Sequence, residues 1–408
     1  MKLVIDGNSL LNVVVSGSLH SSTDTNTNRP FFRVHDKWVI KDDAAEYYNA
    51  QIYKYLLSIL NGLSYVDYIC VAIDSVSWRK FFYKKCMEHF KDRPDFDTIS
   101  LGYKGNRSKS SSETKDQIKE LVNYLSKDTL LTLSKKVPGI QLVSVKGLEG
   151  DDIVYILADH YKKFDDVVVW TNDSDITDQV LDKNVFVIGS NDQKTKKRKL
   201  YRIQPNRVDC DSNKSENTEM NLNFIDNSFN QNDLNSIFDN LIKRGFYIDI
   251  PINPKYETFN KILCGDKSSD NIAPSFCIIN PKTNKIVNLT RVKYSDKIYN
   301  HLKENLDLTD DDILDKFDKF DDNIIDEISK QICILFKIEE SDNINQIKRY
   351  IKFNIRMIRL SKNTIPEELT GYLYECIKYF NNSKFYLDSY VSYINNKKYM
   401  NNDNRFKR

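Results

Sequence analysis

The stretch VVVWTNDSD, residues 167–175, decides the fold. Three valines and a tryptophan in succession read as a strand covered on both faces. The run stops at two carboxylates, Asp173 and Asp175. Upstream the pattern repeats: KLVI ends on Asp6, and YICVAI ends on Asp74. LEGDD then places Glu149, Asp151 and Asp152 at the head of an apolar helical pattern. Downstream, GDKSSDN adds Asp266 and Asp270, which makes nine carboxylates from five stretches of chain. In an open parallel sheet the carboxyl ends of neighbouring strands line one crevice, so these acids are expected to converge. So many negative charges stay ionised together only if cations neutralise them. The pattern therefore predicts bound Mg²⁺ or Mn²⁺ and a substrate that also takes divalent metal, a phosphodiester.

The 408 residues allow a sizeable core and more than one structural region. Sixty basic against 58 acidic side chains leave a net charge of +2, an average that hides separate clusters of each sign. Seven cysteines without a CxxC pair argue against zinc and against a disulfide framework, and a reducing compartment is the simpler reading. The opening MKLVIDGNSLLNVVV is interrupted by Asp6, Asn8 and Asn12, unlike a secretion signal. No run approaches the ~20 apolar residues of a membrane span. A soluble, cytoplasmic monomer is expected.

Strand and helix signals alternate through residues 1–204. Strands are expected at about 2–6, 66–74, 140–145, 167–171 and 185–190, with helical patterns in EYYNAQIYKYLLSIL, TKDQIKELVNYL and DDIVYILADHYKKF. That alternation predicts an α/β fold, a mostly parallel twisted sheet flanked by helices. Residues 17–37 read as a loop, and NDQKTKKRK (191–199) as a basic hairpin tip. Residues 205–235, rich in Asn and poor in core formers, read as an insertion or mobile connection. A helical, DNA-binding region is expected over 236–390, and a basic tail over 391–408.

Taken singly, a strand-end Asp is more often the N-cap of the following helix than a ligand, and acids in a first turn suit the helix dipole. Three acids together in LEGDD exceed what capping needs. On an ideal helix Glu149 and Asp152 share a face while Asp151 points elsewhere. The joint occurrence at successive strand ends carries the metal reading. A cationic constellation follows Asp74: SVSWRKFFYKK, then GYKGNRSKSSSETK. Basic groups interleaved with aromatics fit a phosphate backbone and a stacked base, against the plainer reading of a solvated loop. Arg79, Lys80, Lys104 and Arg107 are the candidate phosphate contacts, and Trp78 and Tyr103 the candidate stacking residues.

In order along the chain, Asp6, AID-S-x-x-WR, YKGNR, EGDD, DSD and GD-x-x-x-DNI resemble the 5′-nuclease superfamily, which has a PIN-like core. Within it the chain is most similar to the ribonuclease H of T-even-type phages, including NTIPEELTGYLYECIKYFNN near the C-terminus. The resemblance implies two Mg²⁺ ions, replaceable by Mn²⁺. Asp6, Asp74, Glu149, Asp151 and Asp173 would hold the first, with Asp151, Asp152, Asp175, Asp266 and Asp270 around the second. Lys104 and Arg107 would sit on a helical arch, at about 75–112, over the scissile phosphate. It implies 5′→3′ exonuclease, flap endonuclease and ribonuclease H activity in DNA replication, in a host cytoplasm if the gene is a phage's. The implied partners are DNA with 5′ ends or flaps, RNA–DNA hybrids, and replisome proteins such as a single-strand-binding protein or clamp. The chain departs from the family in one extra residue within GDKSSDN, in a longer stretch from Arg79 to Tyr103, and in APSFCIINPKTNK where a glycine-rich turn is usual. The alternatives are a PIN-type single-strand ribonuclease and a non-catalytic DNA-structure-binding protein.

Overall fold

The computed structural model describes residues 1–19, 31–34, 37–61, 63, 65–88, 112–203, 234–264, 277–280, 285–288, 295–337, 340–380 and 383–397. Lys2–Asp6 forms β1 and Gly7–Leu19 forms α1. Phe31–Val34 (β2) and Lys37–Ile40 (β3) pair as an antiparallel hairpin. This corrects the expectation of a loop over 17–37, since FFRV and KWVI are aromatic and β-branched enough to pair. Asp42–Leu60 (α2), Tyr68–Ala72 (β4) and Trp78–Glu88 (α3) follow. Ser112–Tyr124 (α4) passes through a π-helical stretch, Leu125–Leu130, into Leu131–Lys136 (α5). Then come Ile140–Val143 (β5), Gly150–Tyr161 (α6), Val167–Trp170 (β6), Ser174–Val180 (α7), Val185–Asn191 (β7) and Arg198–Ile203 (β8).

The central sheet has seven strands in the order β5-β4-β1-β6-β7-β8-β9, where β9 is Tyr247–Ile252. Every pairing is parallel except β7 with β8. The expected mostly parallel α/β fold is what forms. Side chains alternate across β1: Leu3 and Ile5 pack with α1, α2 and Trp170 on one face, while Val4 packs with α6 on the other. Burial on both faces explains why β1, β4 and β6 read as continuous apolar runs. From β1 the chain steps out through β4 to β5, then returns to the other side of β1 as β6. That reversal opens a crevice beyond the carboxyl ends of β1 and β6.

Beyond β8 lie Leu234–Lys243 (α8), Pro254–Cys264 (α9), and a second hairpin of Cys277–Asn280 (β10) with Lys285–Asn288 (β11). Ser295–Leu306 (α10), Asp310–Asp318 (α11), Asp322–Phe336 (α12) and Glu340–Ile358 (α13) pack around Phe259, Phe317 and Ile328 as a second core. Glu367–Phe380 (α14) and Leu387–Asn395 (α15) complete the chain. The expected boundaries at 204 and 391 do not coincide with these packing units. β9 joins the sheet alongside β8, and Leu373 and Ile377 of α14 pack against α6 on one face of it. Phe385, Tyr390 and Ile394 enter the core on the other face. The tail from 398 and the connection at 204–233 lie outside the described residues.

Candidate active site

The acids lie where the strand ends lead. Asp6 closes β1, is buried, and accepts hydrogen bonds from the Ser9 backbone N–H (3.1 Å) and the Thr171 hydroxyl (2.8 Å). Thr171, the first residue past β6, thereby links the ends of two adjacent strands. Its Oγ1 also accepts the Asp173 backbone N–H at 3.0 Å. Asp173 caps α7, accepting the Asp175 N–H at 2.7 Å. Asp74 lies two residues past β4 and accepts the Gly150 N–H at 2.6 Å, at the positive end of the α6 dipole. A Cβ on Gly150 would fall 3.0 Å from the Asp74 carboxylate, so glycine permits that approach.

The first turn of α6 confirms the shared face of Glu149 and Asp152. Both meet Arg79, whose Nη1 is 2.7 Å from Asp152 and 3.6 Å from Glu149. Asp152 also accepts the Glu149 N–H at 3.1 Å, and Asp151 is half-buried. Arg79 is 2 % exposed, so the structure gives it a partner other than the phosphate expected for it. The physical reason is that Asp152 is fully buried, and an enclosed carboxylate requires a counterion. Burial pushes the Asp152 carboxyl up while Arg79 pulls it back. Trp78 lies in the core beside Arg79, not on the surface, whereas Lys80 is exposed.

A second cation, Lys261 of α9, carried no separate signal in the sequence beyond a lysine set among the apolar residues of KILC. Its Nζ lies 2.8 Å from Asp175 and also pairs with Asp178. Burial lowers the Lys261 ammonium, but Asp175 and Asp178 outweigh it and hold its pKa above the ordinary lysine value. This pair fastens the C-terminal region to α7.

Among the described residues, no three His, Cys, Asp or Glu side chains close up to hold a metal ion. Arg79 and Lys261 draw Glu149, Asp152 and Asp175 onto themselves. Asp6, Asp74, Asp151 and Asp173 also carry the hard carboxylate oxygens that Mg²⁺ takes. Burial, then the charges of Asp175 and Asp6, push the Asp173 carboxyl up to about 6. A positive charge placed beside that carboxylate would favour its ionised form, as a divalent ion does. In donor chemistry the site fits such an ion. Tyr103, Lys104, Arg107, Asp266 and Asp270 lie outside the described residues.

Residues 23–209, from before β2 to just past β8, match the family described as 5′-3′ exonuclease, N-terminal resolvase-like domain. Over that span, somewhat under half of its length, the chain is similar to that family. Two solved structures overlap it. One is described as T5 D15 protein co-crystallised with metal ions, at 11% identity and TM-score 0.46, covering 93% of this chain and 98% of that one. The other is T5 5′-exonuclease with zinc bound, at 13% identity and TM-score 0.46, covering 93% and 99%. No curated protein matches the chain. Among the described residues no helix is long and apolar enough to cross a membrane.

Proposed function

We propose that the chain is a Mg²⁺-dependent 5′→3′ exonuclease and flap endonuclease with ribonuclease H activity, removing RNA primers and 5′ flaps during DNA replication. The observation that carries this reading is the coincidence of the family match with one sheet edge lined by Asp6, Asp74, Glu149, Asp151 and Asp173. Asp6, Asp74, Asp151 and Asp173 would hold one ion, with Glu149 oriented beside them by Arg79. Asp266 and Asp270 would complete a second site, toward which Asp152 and Asp175 act by positioning their neighbours. Bound divalent ions supply a nucleophilic water at neutral pH and neutralise charge on the phosphodiester. Thr171 fixes the Asp6 carboxylate and the turn carrying Asp173. Lys104 and Arg107 would meet the scissile phosphate where negative charge grows.

The hairpin tip between β7 and β8 supports a DNA partner. β7 runs parallel to β6, so exposed Lys194, Lys196 and Lys197 stand beyond the same sheet edge as Asp173. DNA with 5′ ends or flaps and RNA–DNA hybrids are the proposed substrates, with replisome proteins as partners of a cytoplasmic monomer. The test is cleavage of end-labelled 5′-flap, nicked and RNA–DNA hybrid substrates in Mg²⁺ and in EDTA. Cleavage from the 5′ side that EDTA abolishes is expected. Cleavage that survives EDTA, or that ignores 5′ structure, overturns the reading.

A further inference from the structure

Helix α3 runs away from the acid cluster, and its far half helps line a cleft that the reading above leaves unused. The cleft has a volume of about 440 Å³ and is lined by Phe82, Phe320, Phe353, Arg349, Lys352 and Arg356. That volume lies within the usual range of ligand sites, roughly 300–1,000 Å³. The Phe82 and Phe353 rings are near-parallel, with centroids 6.1 Å apart and an interplanar angle of 18°. The Arg356 guanidinium lies 4.8 Å from the Phe320 ring centroid. Among the described residues the lining holds three cations and no carboxylate; Asp322 pairs with Lys352.

We propose that this cleft takes one nucleotide from a single-stranded arm of the substrate, its base against the phenylalanines and its phosphate against Arg349 and Arg356. The proposal rests on the nuclease reading above and names a subsite for it. Two features favour this occupant. An anion carrying a flat π-face complements both halves of the lining, and aromatic stacking accepts any base. The cleft also shares a helix with the acid cluster. Phe82 and Cys86 follow Arg79 on one face of α3, and Arg79 touches Asp152 and Glu149. Seven residues of helix separate Arg79 from Cys86, about 10 Å. Lys80, Lys84 and Lys85 are exposed along the same helix, a track suited to phosphates.

The test uses the full chain in EDTA, so that nothing is cut, and reads fluorescence anisotropy of a labelled single-stranded oligonucleotide and of a blunt duplex. Two variants are compared with the wild type: Arg349→Glu with Arg356→Glu on the rim, and Phe353→Leu, which keeps side-chain bulk. Both should weaken single-strand binding by about fivefold to 100-fold while duplex affinity holds. Wild-type single-strand affinity in the rim variant overturns the proposal. So does parallel loss of both nucleic-acid forms, or an acidic peptide that occupies the cleft without competing with the oligonucleotide. Flap cleavage by the wild type in Mg²⁺ is measured alongside. A wild type that cuts flaps while the variants bind normally overturns the cleft and leaves the nuclease. A wild type that binds through the cleft yet cuts nothing does the reverse.

Discussion

Asp173 caps α7 and also concentrates negative charge beside Asp6 and Asp175. Asparagine caps a helix about as well as aspartate, so Asp173→Asn keeps the turn and removes the charge. Single-turnover hydrolysis should fall by several orders of magnitude, with DNA binding retained. Near-normal turnover would remove Asp173 from the catalytic set. Arg79 supports a different prediction. Replacing it by Met strands the fully buried Asp152 carboxylate, which should cost about 3–5 kcal/mol in urea unfolding. Changing Asp152 to Leu in the same chain should restore most of that loss. An Arg79→Met protein as stable as wild type would show that Asp152 does not depend on its counterion.

At the scale of elements, the C-terminal segment packs on one face of the sheet and against the turn leading into β5. Gly139, just before β5, has φ +77°, and a Cβ there would lie 2.2 Å from the Phe385 backbone nitrogen. The Phe385 N–H donates to the Asp67 carbonyl at 2.7 Å, and the Tyr390 hydroxyl donates to the Tyr53 carbonyl at 2.8 Å. Phe385→Ala should therefore destabilise the whole protein by about 3–5 kcal/mol, and Gly139→Ala should act in the same direction. A change confined to fraying of α15, with the main unfolding midpoint unmoved, would contradict that coupling. The proposed phosphate contacts of YKGNR are the opposite case. Lys104 and Arg107 are assigned to phosphate, so changing both to Ala should lower flap turnover most at low salt and leave the thermal midpoint in place. Unchanged low-salt kinetics would return YKGNR to a solvated loop.

Across the whole molecule, ion pairs join units distant in sequence. Lys261 ties α9 to α7, and Lys362 ties the turn after α13 to Asp159 of α6. Burial pushes the Asp159 carboxyl up, but Lys362 and Lys162 outweigh it and hold it below the usual carboxylate range. A carboxylate depressed in the fold contributes stability above its unfolded pKa, near ~3.9. That contribution fades as pH falls from there through the folded value. Urea midpoints measured from neutral to acid pH should therefore drop less steeply below about pH 4 in Asp159→Asn than in wild type. Identical slopes would show that this link carries no pH-dependent stability.

The parallel sheet and the acids at its edge were readable in KLVID, YICVAID and VVVWTNDSD because strand burial and strand-end position are local properties, written in period and punctuation. Glu149 and Asp152 sharing a face followed from helix geometry alone. Whether a cation in a mixed aromatic run turns inward was not local. Arg79 and Lys80 are neighbours in sequence, and only the packing of α3 against α6 decides that one is enclosed by acids and the other left to solvent. Thr171 and Lys261 became site residues through strands and helices far apart in the chain. The same holds for β9 and the segment 383–397, whose short apolar patterns join the α/β core only because that core leaves an edge and a face for them to cover. Hydrophobic period determines which elements form; which charges they enclose is settled when the elements meet, because burial and counterion distance belong to the assembled molecule.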